Sequence, residues 1–133
     1  MHVLRFMFAA ALAATLAGCE SAPVKQMQRD ISSLIQPKKG DQDLATGLRQ
    51  YDEGKYGESA RSLQASLGEG LGSEDQITAH KHLAFIHCVS GRERQCRDEF
   101  RKALKIDPAL ELEPAEAGHP IWGPVFRSAK GRR

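Results

Sequence analysis

From Gln42 onward the apolar residues recur at helical spacing. Leu44, Leu48 and Tyr51 fall at i, i+4 and i+7, and Asp52-Glu53-Gly54-Lys55 then breaks the run. Tyr56, Ala60, Leu63 and Leu67 form a second stripe, which ends in Gly68-Glu69-Gly70-Leu71-Gly72-Ser73. Ala79, Leu83 and Ile86 make a third, stopped by Ser90-Gly91. Cys96, Phe100, Ala103 and Leu104 make a fourth, stopped by Asp107-Pro108. In the fourth stripe Asp98 and Glu99 precede Arg101, Lys102 and Lys105, the order a helix dipole favours. No period-two alternation competes. The expected fold is therefore all-α, with two helical hairpins in succession.

The hairpins also match each other. Set against "GLRQYDEGKYGESARSLQASL", the second reads "AFIHCVSGRERQCRDEFRKAL". Gly47 falls on Ala84, Tyr51 on Cys88, Gly54 on Gly91, Ser59 on Cys96, Leu63 on Phe100, Ser66 on Ala103 and Leu67 on Leu104, always 37 residues apart. This pattern resembles the tetratricopeptide repeat, a helix–turn–helix unit of about 34 residues, lengthened here by the loop around residues 68–73. The repeats span about 42–69 and 76–108. The second fits better, through Leu83, Ala84, Gly91, Cys96, Phe100, Ala103 and Pro108. The first lacks the terminal Pro, has Thr46 before its Gly, and neither begins with Trp.

Two such units rarely bury a continuous core, because about three are usually needed. Residues 109–130 are expected to complete it as a capping segment. Pro114 suits the start of a helical turn, Gly118 and Pro120 interrupt, and Pro124 suits the first turn of a final helix running toward Lys130. Ile121, Trp122, Val125 and Phe126 are a dense apolar group. It has two readings. Either Trp122 and Phe126 seal the second hairpin, or Ile121, Trp122 and Phe126 form an exposed docking segment, Trp being a frequent interface anchor.

The start of the chain is of another kind. Arg5 precedes a short apolar run, Phe6 to Ala17, too short to span a bilayer comfortably and suited to a secretion signal. The run ends in Leu16-Ala17-Gly18-Cys19, which resembles the lipobox of bacterial lipoproteins. The resemblance implies a signal peptide over 1–18, acylation of Cys19, and a polar tether over 19–41. Several acyl chains, each methylene contributing about 0.8 kcal/mol, anchor stably where one would not. Glu20 is not the Asp that retains such lipoproteins at the inner membrane, so the implied location is the outer membrane, facing the periplasm. The competing reading is an ordinary signal peptide cut elsewhere.

Composition narrows the function. A length of 133 residues holds one modest domain, and a net charge of +2 gives no basic field for nucleic acid. His80, His82, His87, Cys88 and Cys96 invite a metal reading, but no CxxC or HExxH spacing occurs and at most three ligands converge. His87 is adjacent to Cys88, so on a helix the two point about 100° apart, and no GxSxG, P-loop or GxGxxG is present. The expectation is no enzyme, no cofactor and no metal. With Cys19 lipidated, an even pair of cysteines remains in an oxidising compartment. In the repeat family the position of Cys96 is small because the paired helices approach most closely there, and Cys88 faces it across the turn. The expectation is a Cys88–Cys96 disulfide, with two free thiols behaving as small buried hydrophobes as the alternative.

The resemblance also implies a protein-binding inner face on the first helix of each hairpin. Position by position, this assigns Leu44, Leu48, Tyr51 and Asp52, then Lys81, Phe85 and Val89, to a groove for a partner helix or extended peptide. The competing reading fills that groove with the C-terminal segment. A lipid-anchored adaptor for proteins of the bacterial envelope follows, with a secretion-system accessory lipoprotein (type VI among them) favoured by analogy of architecture. Alternatives are a pilotin or outer-membrane assembly factor, a peptidoglycan-associated binding protein, and an enzyme or metal carrier using the His/Cys cluster.

Overall fold

The computed structural model describes residues 37–131, together with Met27 and Ile31. The expected signal peptide, Cys19 and most of the tether lie outside the described residues. Every regular element among the described residues is helical: α1 Lys39–Asp52, α2 Tyr56–Gly68, α3 Ser73–Val89, α4 Glu93–Ile106, α5 Pro114–Ala117 and α6 Trp122–Gly131. The main packing pairs are α1 with α2 and α3 with α4; α2 also packs on α3, and α6 on α4. This is the pair of hairpins with a C-terminal cap that the apolar stripes predict.

Helices α1 and α3 each begin three residues before their expected starts, at Lys39 instead of Gln42 and at Ser73 instead of Gln76. Both extra turns are set by polar groups, which apolar periodicity does not register. Asp41 lies in the first turn of α1 and accepts the Lys38 N–H at 3.2 Å, while Glu74 and Asp75 place negative charge at the start of α3.

The two hairpin turns have the same backbone. Gly54 and Gly91 sit at φ 72° and 73°, a left-handed conformation that favours glycine. The Gly54 N–H donates to the Tyr51 carbonyl at 2.9 Å, and the Gly91 N–H to that of Cys88 at 3.1 Å. Lys55 donates to Gln50 and Arg92 to His87, both at 2.8 Å. These bonds recur at the same 37-residue spacing as the side-chain pattern. The repeat is thus present in the main chain as well as in the sequence.

Within the first hairpin the helices meet at Gly47. A Cβ there would lie 2.8 Å from the Leu63 side chain and 3.2 Å from its backbone nitrogen. Ser59 is buried at the same crossing and donates to the Gly47 carbonyl at 2.7 Å. Gly47→Val is accordingly expected to destabilise the domain by about 1–3 kcal/mol through overpacking. A urea midpoint equal to that of the unsubstituted protein would show that the crossing has room to spare.

Two apolar clusters fill the interior. Leu44, Leu63, Leu71, Ala79, Leu83 and Ile86 join the first hairpin to α3. The second cluster is built on Phe85, Cys88, Cys96 and Phe100, and the cap adds Leu112, Val125, Phe126 and Ala129 to it. Tyr51 packs against both. The C-terminal segment therefore supplies the third layer that two repeats alone lack. Lys130 ties its end back, donating to the Leu110 carbonyl at 3.0 Å.

Candidate protein-binding groove

The inner face begins at the C-terminal half of α1, where Leu48 and Tyr51 are half-buried and Asp52 is exposed. The turn at Gly54 brings Tyr56 back beside Tyr51, with ring centroids 5.5 Å apart and Tyr56 still 39% exposed. From α3, His82 presents its ring edge-on to Tyr51 at 5.0 Å and to Phe85 at 5.6 Å. Phe85 stacks on Trp122 at 4.5 Å, and Trp122 stacks on His119. Aromatic rings thus run without a break from α2, across α1 and α3, to the cap.

The groove residues assigned by position divide into three groups. Leu48, Tyr51 and Asp52 reach the surface. Leu44 does not: it is buried between the hairpins, because its side of α1 faces Leu63 and Leu83. Phe85 is only 2% exposed, because Trp122 covers it. Lys81 is half-buried and held across the groove by the cap, its Nζ donating to Glu116 Oε1 at 2.8 Å. Val89 is exposed at the end of α3. The chain itself covers the inner face at Lys81 and Phe85, while Leu48, Tyr51 and Asp52 of the first repeat keep part of their surface.

The apolar group of the cap divides likewise. Phe126 is buried against Phe100, with centroids 5.2 Å apart, while Ile121 remains 49% exposed. Trp122 is half-buried, and its Nε1 donates to the Glu116 carbonyl at 2.9 Å. Glu116 holds the cap together: its carboxylate also accepts the Glu113 N–H at 3.0 Å, closing the short α5 turn behind Pro114. Glu116, His119, His82 and Tyr56 were not among the assigned groove residues. The Pro114 helix-start signal is the local clue to Glu116, which falls at the third position of that turn.

The three histidines of α3 are held by three different partners. The His80 Nδ1 pairs with Glu99 Oε2 at 2.6 Å, His82 Nδ1 donates to the Thr78 carbonyl at 2.8 Å, and Arg92 Nε donates to His87 Nδ1 at 3.0 Å. Among the described residues no three His, Cys, Asp or Glu side chains gather where a metal ion would sit. Cys88 and Cys96 are joined by a disulfide across the Gly91 turn, with Cα atoms 5.1 Å apart.

Burial pushes the Tyr51 hydroxyl up to about 12, and the neighbouring Tyr56, Glu116 and Asp52 add to the shift. Burial also holds the His82 imidazole below its usual value of 6.5, outweighing the bond to Thr78. A depressed folded-state value means that the unfolded chain takes up the proton first. The stability contributed by neutral His82 is therefore complete above about pH 6.5 and lost as pH falls through the folded value. His87, depressed by burial and by Arg92, acts in the same direction. Urea midpoints are expected to fall between pH 7.5 and 5.5, and His82→Gln is expected to flatten part of that slope. A midpoint that rises on acidification would contradict the assignment.

No protein-family model, curated protein or solved structure matches the chain.

Proposed function

We propose that the chain is a non-enzymatic adaptor, lipid-anchored through Cys19 at the periplasmic face of a bacterial outer membrane, that assists assembly or stability of an envelope complex. A secretion system is the favoured complex, on architecture alone. The observation that carries the reading is the duplicated hairpin with an open first-repeat face: Leu48, Tyr51 and Tyr56 reach solvent on a rigid helical frame. The lipobox sequence Leu16-Ala17-Gly18-Cys19 supports the anchoring half of the proposal.

The test has two arms. A photo-crosslinking residue at Tyr56 in intact cells is expected to capture one dominant envelope protein, and the same residue at Gln64, exposed on α2, is expected not to. Cys19→Ala is expected to shift the protein from the membrane fraction to the soluble fraction. Capture equal at both positions would remove the groove as the binding face. An unchanged membrane fraction would remove the lipid anchor.

A further inference from the structure

The C-terminal segment is held to the rest of the chain in two different ways. Helix α6 is anchored in the core by Val125, Phe126 and Ala129, all buried. Before it, α5 contributes no buried residue and packs on no helix but α6. Among the described residues, one pair makes every hydrogen bond from residues 113–122 to α3: Lys81 Nζ donates to Glu116 Oε1 at 2.8 Å and to Oε2 at 3.1 Å. The second grip is the Trp122 indole stacked on Phe85, and Ala117 adds a half-buried methyl. An ion pair that still touches water contributes little, and one ring stack adds modestly to it. Residues 113–122 are thus a lightly held span between two buried anchors, Leu112 and Val125.

Beneath this span lies a preformed pair of recognition groups. Phe85 is 2% exposed under Trp122, with His82 edge-on beside it at 5.6 Å. The Lys81 Nζ stands 5.9 Å from the Phe85 ring centre, so an aromatic floor and an ammonium lie side by side on α3. The chain itself shows what such a position takes: an indole on the ring and a carboxylate on the ammonium. The span presents both together through its own bonds, because Trp122 Nε1 donates to the Glu116 carbonyl at 2.9 Å and His119 stacks on Trp122. Tyr51 lies 6.4 Å from Phe85, so the covered position continues into the first-repeat part of the inner face.

We infer that residues 113–122 are an autoinhibitory lid, and that the position beneath them receives an aromatic side chain and a carboxylate of the protein partner in place of Trp122 and Glu116. This rests on the adaptor reading and specifies the chemistry of the partner. Helix α6 keeps its buried residues when the lid lifts, so the exchange needs no unfolding of the hairpins. A site that is open for only a fraction of the time binds more weakly by that fraction, which makes the lid a threshold for the partner.

The probe is a labelled peptide with the sequence of residues 113–124, followed by fluorescence anisotropy against the full mature protein. A chain carrying Glu116→Gln and Trp122→Ala has released both grips. It is expected to bind the peptide at least about tenfold more tightly than the native chain, whose own lid competes. Adding Lys81→Glu to that chain, or E116K to the peptide, is expected to abolish the gain. A second measurement needs only the native lid. Trp122 is the single Trp, and Lys81→Glu is expected to raise its quenching by acrylamide about twofold with helix content unchanged. Equal affinity of native and opened chains, binding to neither, or quenching indifferent to Lys81→Glu would each overturn the inference. The peptide assay requires no envelope protein, so the two readings fail separately. Its failure with the Tyr56 crosslink kept overturns the lid alone. Loss of the crosslink with the peptide still bound overturns the adaptor reading, and with it the protein partner.

Discussion

Phe100→Ala is expected to remove about 3–5 kcal/mol of stability, a large share of the roughly 5–15 kcal/mol that holds a small domain folded. Phe100 has no exposed surface and sits where α4 meets both α3 and the cap. Its ring packs edge-on against Phe85 at 5.9 Å and against Phe126 at 5.2 Å. Truncation leaves a cavity among helices that are tied together and so cannot collapse freely. The disulfide fixes one side and the Lys130–Leu110 bond the other. Urea unfolding followed by circular dichroism measures the loss. Because Phe85 carries the stacked Trp122, the variant should also show a changed Trp emission spectrum before unfolding. A loss below about 1 kcal/mol would mean that the cap does not close on α4 as described.

Removing the disulfide is the second large effect. The bridge closes a short loop, with a sequence separation of 8, and chain-entropy reasoning assigns it about 2–3 kcal/mol. For a domain of this size the double variant Cys88→Ala, Cys96→Ala should therefore melt roughly 10–20 °C lower. A reductant should lower the melting temperature of the native chain and leave that of the variant unmoved. The loss should be uneven. The first hairpin has Tyr51 and Ser59 at the equivalent positions and relies on the Gly47 crossing instead, so hydrogen exchange should accelerate more in α3 and α4 than in α1 and α2. Indifference of the native chain to reductant would show that helix packing alone fixes the second hairpin.

These effects also mark what the amino-acid sequence discloses. Four helices were legible because their apolar stripes are regular and Gly54, Gly91 and Pro108 punctuate them. Their first turns were not, since Asp41, Glu74 and Asp75 work through charge and capping. The nearness of Cys88 and Cys96 was legible once the repeat register set them across one turn. The accessibility of the groove was not. Leu44 and Leu48 have the same residue type and share a stripe, and both pack on one apolar cluster, yet Leu44 is buried there and Leu48 only half-buried at its edge. Phe85 holds a groove position by register and loses it to Trp122, a contact fixed by the path of the chain through residues 109–121. That path depends on Glu116 gripping Lys81 and the Trp122 indole, which no local pattern encodes.

The matching turns at Gly54 and Gly91 have a consequence for how such a protein can be lengthened. The chain between them is one full period that starts and finishes in the same backbone conformation, with the same hydrogen bonds on either side. A tandem copy of that period could be spliced in at either glycine without a new kind of junction. Each copy would extend the inner face by one helix and leave the cap at its end, so that reach along a partner becomes a matter of copy number.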